Sequence, residues 1–282
     1  MTAPRWIETG AGPRGLLFLH GVSGGAKGAA SILPAITPPG WRGLAWDMPG
    51  YGASAPIDPV DFDGYAAAVV DLLDAAGLDR AVLVGHSMGG MIALQTVARF
   101  PERVSGLVLA CCTPAFGAPA GPLQQAFLAK RTGPLDEGAT MRDIAVDLIP
   151  TMVGPDADPE VLHAAVDVMA DIPPDSYRAA MRALVRFDQR ASLASIDVPA
   201  LVVAGLLAAV TYAQTTYLPV RDIRSGMKGY GLTVFQGEKV ERFEVEILGV
   251  YPASDSPKSR RCFTRRSVLL HRRRQTLRAA AN

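Results

Sequence analysis

Ala81-Val82-Leu83-Val84-Gly85-His86-Ser87-Met88-Gly89-Gly90 is the stretch from which the fold can be read. Residues 81–84 have the apolar, β-branched character of a buried strand, and residues 88–100 repeat their apolar positions with a helical period. Between them stands the pattern G-x-S-x-G. A serine there sits on a tight strand-to-helix turn. Side chains at Gly85 or Gly89 would collide, and Ser87 must tolerate strain to present its hydroxyl above the sheet. The same letters could mark a structural Gly-rich turn, but the strand that feeds the turn and the helix that leaves it favour a nucleophile. Ser87 is the candidate.

Working outward, residues 16–19, 43–46, 104–110 and 200–204 read as further buried strands, and 66–76 as another helix. Short apolar runs alternating with helical segments predict an α/β fold, a mostly parallel sheet with helices on both faces. Pro101 stops the helix that follows Ser87. The connection from 110 to 200 is far too long for a simple crossover. Its periodicity predicts helices near 121–132, 139–149, 159–170 and 174–187, so about 115–195 is expected to form a helical lid. Pro114, Gly117, Pro119, Gly121 and Pro122 mark where the chain leaves the sheet.

A second signal is His20-Gly21-Val22, at the end of the strand 16–19 and followed by a Gly-rich run through Gly28. A third is Asp47-Met48-Pro49-Gly50-Tyr51-Gly52-Ala53-Ser54. With the Ser87 turn, these segments resemble the α/β-hydrolase family in order and spacing over about residues 1–205. The resemblance implies that Ser87 is the nucleophile and that the backbone N–H groups of Val22 and Met88 form the oxyanion hole. Fixed backbone donors suit that task because they need no reorganisation as charge develops. His20, Gly21, Gly85, His86 and Gly89 are expected as supporting residues, with His20 holding the oxyanion loop and His86 lining the pocket. A phosphate loop is the rival for the Gly-rich run. It fails because Ala26 stands where glycine is needed and Gly28 where the magnesium-binding Ser or Thr should be.

In that family the acid and then the histidine follow the serine in the chain. After the strand 200–204 the chain reads Gly205-Leu206-Leu207-Ala208, and after 104–110 it reads Cys111-Cys112-Thr113, with no carboxylate at either place. The histidines after Ser87 are His163, in the expected lid, and His271, among arginines. Neither is assigned to a triad, so its acid and base are unidentified. The resemblance implies acyl transfer to water from a small ester or lactone, with no cofactor and no metal. Serine at the turn argues against the dehalogenase and epoxide-hydrolase branches. The alternative is a non-catalytic pseudoenzyme.

Beyond Gly205 the hydrolase pattern stops, so the domain is expected to be truncated. Residues 206–216 form an apolar junction, within which 206–213 read like the end of a signal peptide. Residues 231–236 and 240–250 alternate apolar and charged positions around Gly237 and predict a β-hairpin. The stretch 217–251, from Tyr217-Leu218-Pro219 through Gly229-Tyr230-Gly231 to Ile247-Leu248-Gly249, resembles the N-terminal part of the stage IV sporulation protein B type of serine peptidase domain. No peptidase catalytic residue carries over. Residues 252–282 are basic and expected to be disordered, with nine Lys or Arg and no acid after Asp255. Two partial resemblances in tandem suggest a fused or misassembled reading frame.

Composition sets the remaining bounds. The 282 residues are 49% hydrophobic and 20% charged, as in an ordinary globular protein, and the net charge of +1 gives no overall field for nucleic acid or membrane. The basic tail has no nucleic-acid motif. Three cysteines supply no disulfide framework, so buried inert thiols and a cytoplasmic location are expected, with a small molecule as partner.

Overall fold

The apolar runs become strands β1 (Trp6–Gly10), β2 (Arg14–Leu19), β3 (Trp41–Trp46), β4 (Ala81–His86), β5 (Val104–Ala110) and β6 (Ala200–Val203). The computed structural model describes residues 3–116, 121–153 and 157–203, and the backbone of 228–236, 239–252 and 266–272. The junction 206–216 and residues 217–227 of the stretch expected to resemble a sporulation peptidase lie outside them. Among the described residues the sheet has six strands in the order β1-β3-β2-β4-β5-β6. β2 pairs in parallel with β3 and β4, and β4 with β5, while β1 is antiparallel to β3. The mostly parallel sheet is as the sequence predicts. β1 is an addition: Trp6-Ile7-Glu8-Thr9 is a half-exposed edge whose mixed residues form no apolar run.

Alternate residues of the central strands enter two separate cores. Leu17, Leu19, Leu44, Trp46 and Leu83 join one; Leu16 and Ala45, with Phe18 and Val84 packed against them, form the other. Burial on both faces is why these strands read as continuous apolar runs rather than alternating ones. Short helices α1 (Ala26–Ala29) and α2 (Leu33–Ile36) give Ala29 and Leu33 to the smaller core. Helices α3 (Phe62–Ala75) and α4 (Met88–Arg99) pack together on the other face. α3 begins four residues before the apolar periodicity because the Asp61 carboxylate accepts the Gly64 N–H at 2.7 Å, an N-cap the periodicity does not show.

Between β5 and β6 lie α5 (Pro122–Asp136), α6 (Met141–Leu148), α7 (Pro159–Ala170) and α8 (Pro174–Leu184), the four helices of the expected lid. Proline opens α5, α7 and α8, where its missing N–H costs nothing. Tyr177, Ala180, Met181 and Leu184 of α8 are buried at i, i+3, i+4 and i+7 and join the core shared with the sheet.

The chain divides into two compact units, the first running from the N-terminus through Ala200 and the second comprising Leu201–Val203 and the chain from Ala208. In the second, β7 (Lys228–Gln236) and β8 (Lys239–Pro252) form the expected antiparallel hairpin. A further strand, β9 (Arg266–Arg272), pairs antiparallel with β8. It falls within the basic segment 252–282. Val268-Leu269-Leu270 is a β-capable run, and the unpaired backbone edge of β8 offers it a ladder.

Candidate active site

The chain runs from β2 to β3 on one side and from β4 to β5 on the other, so the order reverses between the neighbours β2 and β4. Ligands of open α/β sheets bind at such a point, beyond the carboxyl ends of the strands. His20-Gly21-Val22 follows β2 and Ser87 follows β4. The two loops touch: a methyl placed on Gly21 would stand 3.1 Å from Ser87 Cβ and 3.3 Å from His86 Nδ1.

Ser87 occupies φ 53°, ψ −120°, a conformation that L residues rarely adopt. It is held there from two sides. Its N–H donates to the Ala110 carbonyl at 2.8 Å, which ties the turn to the end of β5. Its own carbonyl accepts the N–H groups of Gly90 and Met91, at 2.9 and 3.3 Å, which starts α4. A Cβ on Gly85 would lie 2.4 Å from the Gly89 carbonyl oxygen, and one on Gly89 only 2.0 Å from the Leu19 carbonyl oxygen. Both glycines are therefore required by close backbone approach. Met88 is the first residue of α4, where an N–H has no intrahelical acceptor, and its side chain is buried.

His20 is buried, and both ring nitrogens are engaged. The Met48 N–H donates to Nε2 at 3.1 Å, so Nε2 is unprotonated and Nδ1 carries the hydrogen, which it donates to the Gly21 carbonyl at 2.8 Å. Burial pushes its pKa down to about 4, against weaker support for the cation from the Gly21 carbonyl and Asp47. A neutral ring with both nitrogens committed is a brace, not a base. Asp47 is similarly occupied, accepting the Ala26 N–H at 2.8 Å.

Tyr51 completes the brace. Its buried hydroxyl donates to the Val22 carbonyl at 3.1 Å, fixing the peptide that follows Val22, and its ring lies 5.6 Å from that of His20. In the sequence, Tyr51 is visible only as a member of the motif 47–54, and nothing local to it signals this task. The structure brings His20, Gly21, Val22, Gly85, His86, Ser87, Met88 and Gly89 together. His163 is exposed on α7, and His271 falls in β9 of the other unit. Cys111 and Cys112 follow β5 where a carboxylate was sought. Cys112 packs against Gly90, and burial pushes its thiol up to about 12. Cys111 is exposed, which corrects the expectation that both thiols are buried. Among the described residues no cluster of His, Cys, Asp or Glu could hold a metal ion.

Residues 16–133 match the sequence profile of the alpha/beta hydrolase fold. A solved hydrolase from Pseudomonas aeruginosa PA01 superposes with a TM-score of 0.62 at 27% identity, over 71% of this chain and 75% of its own. The first unit has the alpha/beta hydrolase fold. The alpha/beta hydrolase fold accounts for the adjacency of the β2 and β4 loops and for the helical insertion after β5. Among curated proteins, the chain is 36% identical over 118 residues to the pimeloyl-[acyl-carrier protein] methyl ester esterase of Edwardsiella ictaluri, covering 42% of this chain and 44% of that protein. It is 40% identical over 107 residues to the 2-hydroxy-6-oxononadienedioate/2-hydroxy-6-oxononatrienedioate hydrolase of Paraburkholderia phymatum, covering 36% and 37%. The chain thus spans less than half the length of these curated relatives. Among the described residues no helix is long and apolar enough to cross a membrane.

Proposed function

We propose that the chain belongs to the α/β-hydrolase family and that its site hydrolyses a small ester or lactone through Ser87. The observation that carries this is the backbone of Ser87, held at φ 53° beside Gly21, with the Val22 peptide fixed by Tyr51. Strain of this kind costs on the order of 1–3 kcal/mol and persists where the surrounding structure enforces it. In the proposed reaction Ser87 Oγ attacks the carbonyl carbon, and the Val22 and Met88 N–H groups hold the oxygen as it becomes negative. The alcohol leaves, and water releases the acid from the acyl-serine. The serine proton needs an acceptor. His20 is committed to Met48 and Gly21, so the base has to come from elsewhere in the complete site. The partial relatives, an ester hydrolase and a hydrolase of an oxo-dioate, support the reaction class.

Labelling with a fluorophosphonate tests the proposal. Modification that maps to Ser87 and disappears in Ser87→Ala supports it, whereas a folded protein that takes no label would leave the second reading, a pseudoenzyme that binds small molecules. That reading is favoured by the sequence Cys111-Cys112-Thr113, which places no carboxylate after β5. For 217–251 no peptidase activity is proposed. A fused or misassembled frame at Gly205-Leu206 would be excluded by long-read sequencing that recovers the join uninterrupted. A cytoplasmic location belongs to the same proposal.

A further inference from the structure

Close approach to Ser87 accounts for Gly21, but not for Gly24, Gly25 and Gly28 in the run that follows it. Gly24 faces inward: a Cβ there would stand 2.9 Å from His20 Cβ, so the loop folds back on its own brace. Gly25 and Gly28 face the lid. A methyl on Gly25 would stand 3.9 Å from Val168 Cγ1, and one on Gly28 would stand 3.4 and 3.5 Å from Val168 Cγ1 and Cγ2. With no side chains at these two positions, α7 lies directly against α1.

Val168 stands apart from the stripe that attaches α7 to the domain. Leu162, Ala165, Val166 and Met169 lie at i, i+3, i+4 and i+7 and pack into the larger core, whereas Val168 points at the glycines. Just beyond it, at the start of α8, Ser176 meets the neighbouring loop: a Cβ on Gly50 would stand 2.8 Å from Ser176 Oγ. Beneath these contacts the two loops are tied together. Asp47 accepts the Ala26 N–H, the Met48 N–H donates to His20, and the Tyr51 hydroxyl donates to the Val22 carbonyl. Within the first loop the Gly24 N–H donates to the Gly21 carbonyl at 2.9 Å and the Gly28 N–H to the Gly25 carbonyl at 3.1 Å, so a shift at Gly25 is passed on to Val22. The Lys27–Asp171 ion pair also joins α1 to the end of α7, at 3.0 Å, but both side chains are mostly exposed, and such pairs contribute little. The apolar contact of Val168 carries the connection.

We infer that Val168 is a positioning residue for the oxyanion hole: seated on Gly25 and Gly28, it holds the loop that carries the Val22 N–H. The inference rests on the reading of Ser87 as the nucleophile and of Val22 as an oxyanion donor. Val168 acts only through the loop, and the oxyanion donor counts most when charge has developed on the substrate oxygen. Its loss is therefore felt in the chemical step rather than in substrate binding.

The test is turnover of 4-nitrophenyl acetate by the full chain. Val168→Ala should lower kcat about five-fold and leave KM within about two-fold, because a displaced donor loses part of its worth at the transition state. Val166→Ala makes the same truncation on the core stripe of α7. It should lower the melting temperature but change kcat by less than about two-fold. Gly28→Val added to Val168→Ala returns the two lost methyl groups from the opposite side of the contact and should recover most of kcat. An unchanged kcat in Val168→Ala, an effect confined to KM, an equal fall in Val166→Ala, or no recovery in the double variant overturns the inference and leaves the esterase reading standing. If the native protein turns over no ester, amide hydrogen exchange decides the contact separately. The bonded N–H groups of Gly24, Ala26 and Gly28 should exchange at least about five-fold faster in Val168→Ala than in Val166→Ala. Equal exchange in the two variants overturns the inference.

Discussion

The Tyr51 hydroxyl donates to the Val22 carbonyl at 3.1 Å, so a residue from the loop after β3 sets the orientation of a peptide in the loop after β2. Removing the hydroxyl leaves the Val22 carbonyl unheld and so loosens Val22, whose N–H, in the preceding Gly21–Val22 peptide, is the proposed oxyanion donor. Tyr51→Phe is expected to lose about 1 kcal/mol of stability, as for one internal hydrogen bond. It should also slow fluorophosphonate labelling of Ser87 by roughly ten-fold, since a misaligned oxyanion donor costs ~1–3 kcal/mol at the transition state. Equal labelling rates in native and variant protein would remove Val22 from the oxyanion hole.

His20 gives the fold a pH dependence with a definite sign. Its pKa falls from 6.5 in a free side chain to about 4 in the buried site. Between those values the unfolded chain holds the proton and the folded chain does not. The stability due to neutral His20 is therefore fully present above pH 6.5 and is lost as pH falls toward 4, by about 3 kcal/mol in all. Urea midpoints measured from pH 7.5 to 4 should fall less steeply for His20→Gln than for the native protein. Parallel profiles would show that the ring is not buried in the neutral form.

Gly89 is packed against the end of β2, with 2.0 Å between a built methyl and the Leu19 carbonyl oxygen. The obstacle is backbone, which cannot move aside as a flexible side chain can. Gly89→Ala is expected to cost at least about 3 kcal/mol, at the upper end of overpacking effects, and to lower the melting temperature by several degrees. A native-like melting curve would mean that the turn is looser than these distances.

Ser87 is strained, and glycine would relieve the strain while deleting the hydroxyl. Ser87→Gly should melt at a higher temperature than Ser87→Ala, by the equivalent of about 1 kcal/mol, because alanine keeps a Cβ at φ 53° and glycine does not. Neither variant should take up the fluorophosphonate. If the two melt together, the positive φ carries no measurable strain.

Cys111 and Cys112 are adjacent but unlike. Cys111 is exposed, whereas Cys112 is packed on Gly90 with its thiol pushed up to about 12 by burial. Only thiolate reacts readily, so iodoacetamide at pH 8 should modify Cys111 well before Cys112, as read by fragment-ion mass spectrometry. Equal modification would place Cys112 in solvent.

The sequence by itself determined the central strands, the turn at Ser87 and the four lid helices, because each is written in neighbouring residues. Strands covered on both faces leave unbroken apolar runs such as 81–84, and α8 repeats its buried positions at a period of 3.6. The glycines around Ser87 are local too, since backbone crowding at one turn demands them. What sequence could not give was any feature whose reason lies across the fold. β1 is a strand only because β3 offers it an edge, and β9 only because β8 does. His20 is a brace rather than a base because Met48, 28 residues away, donates to its ring. Tyr51 matters because folding carries its hydroxyl to Val22, 29 residues distant. Local pattern fixes which elements form, but a hydrogen bond or a charge is satisfied in three dimensions, so the tertiary structure alone decides which groups are paired.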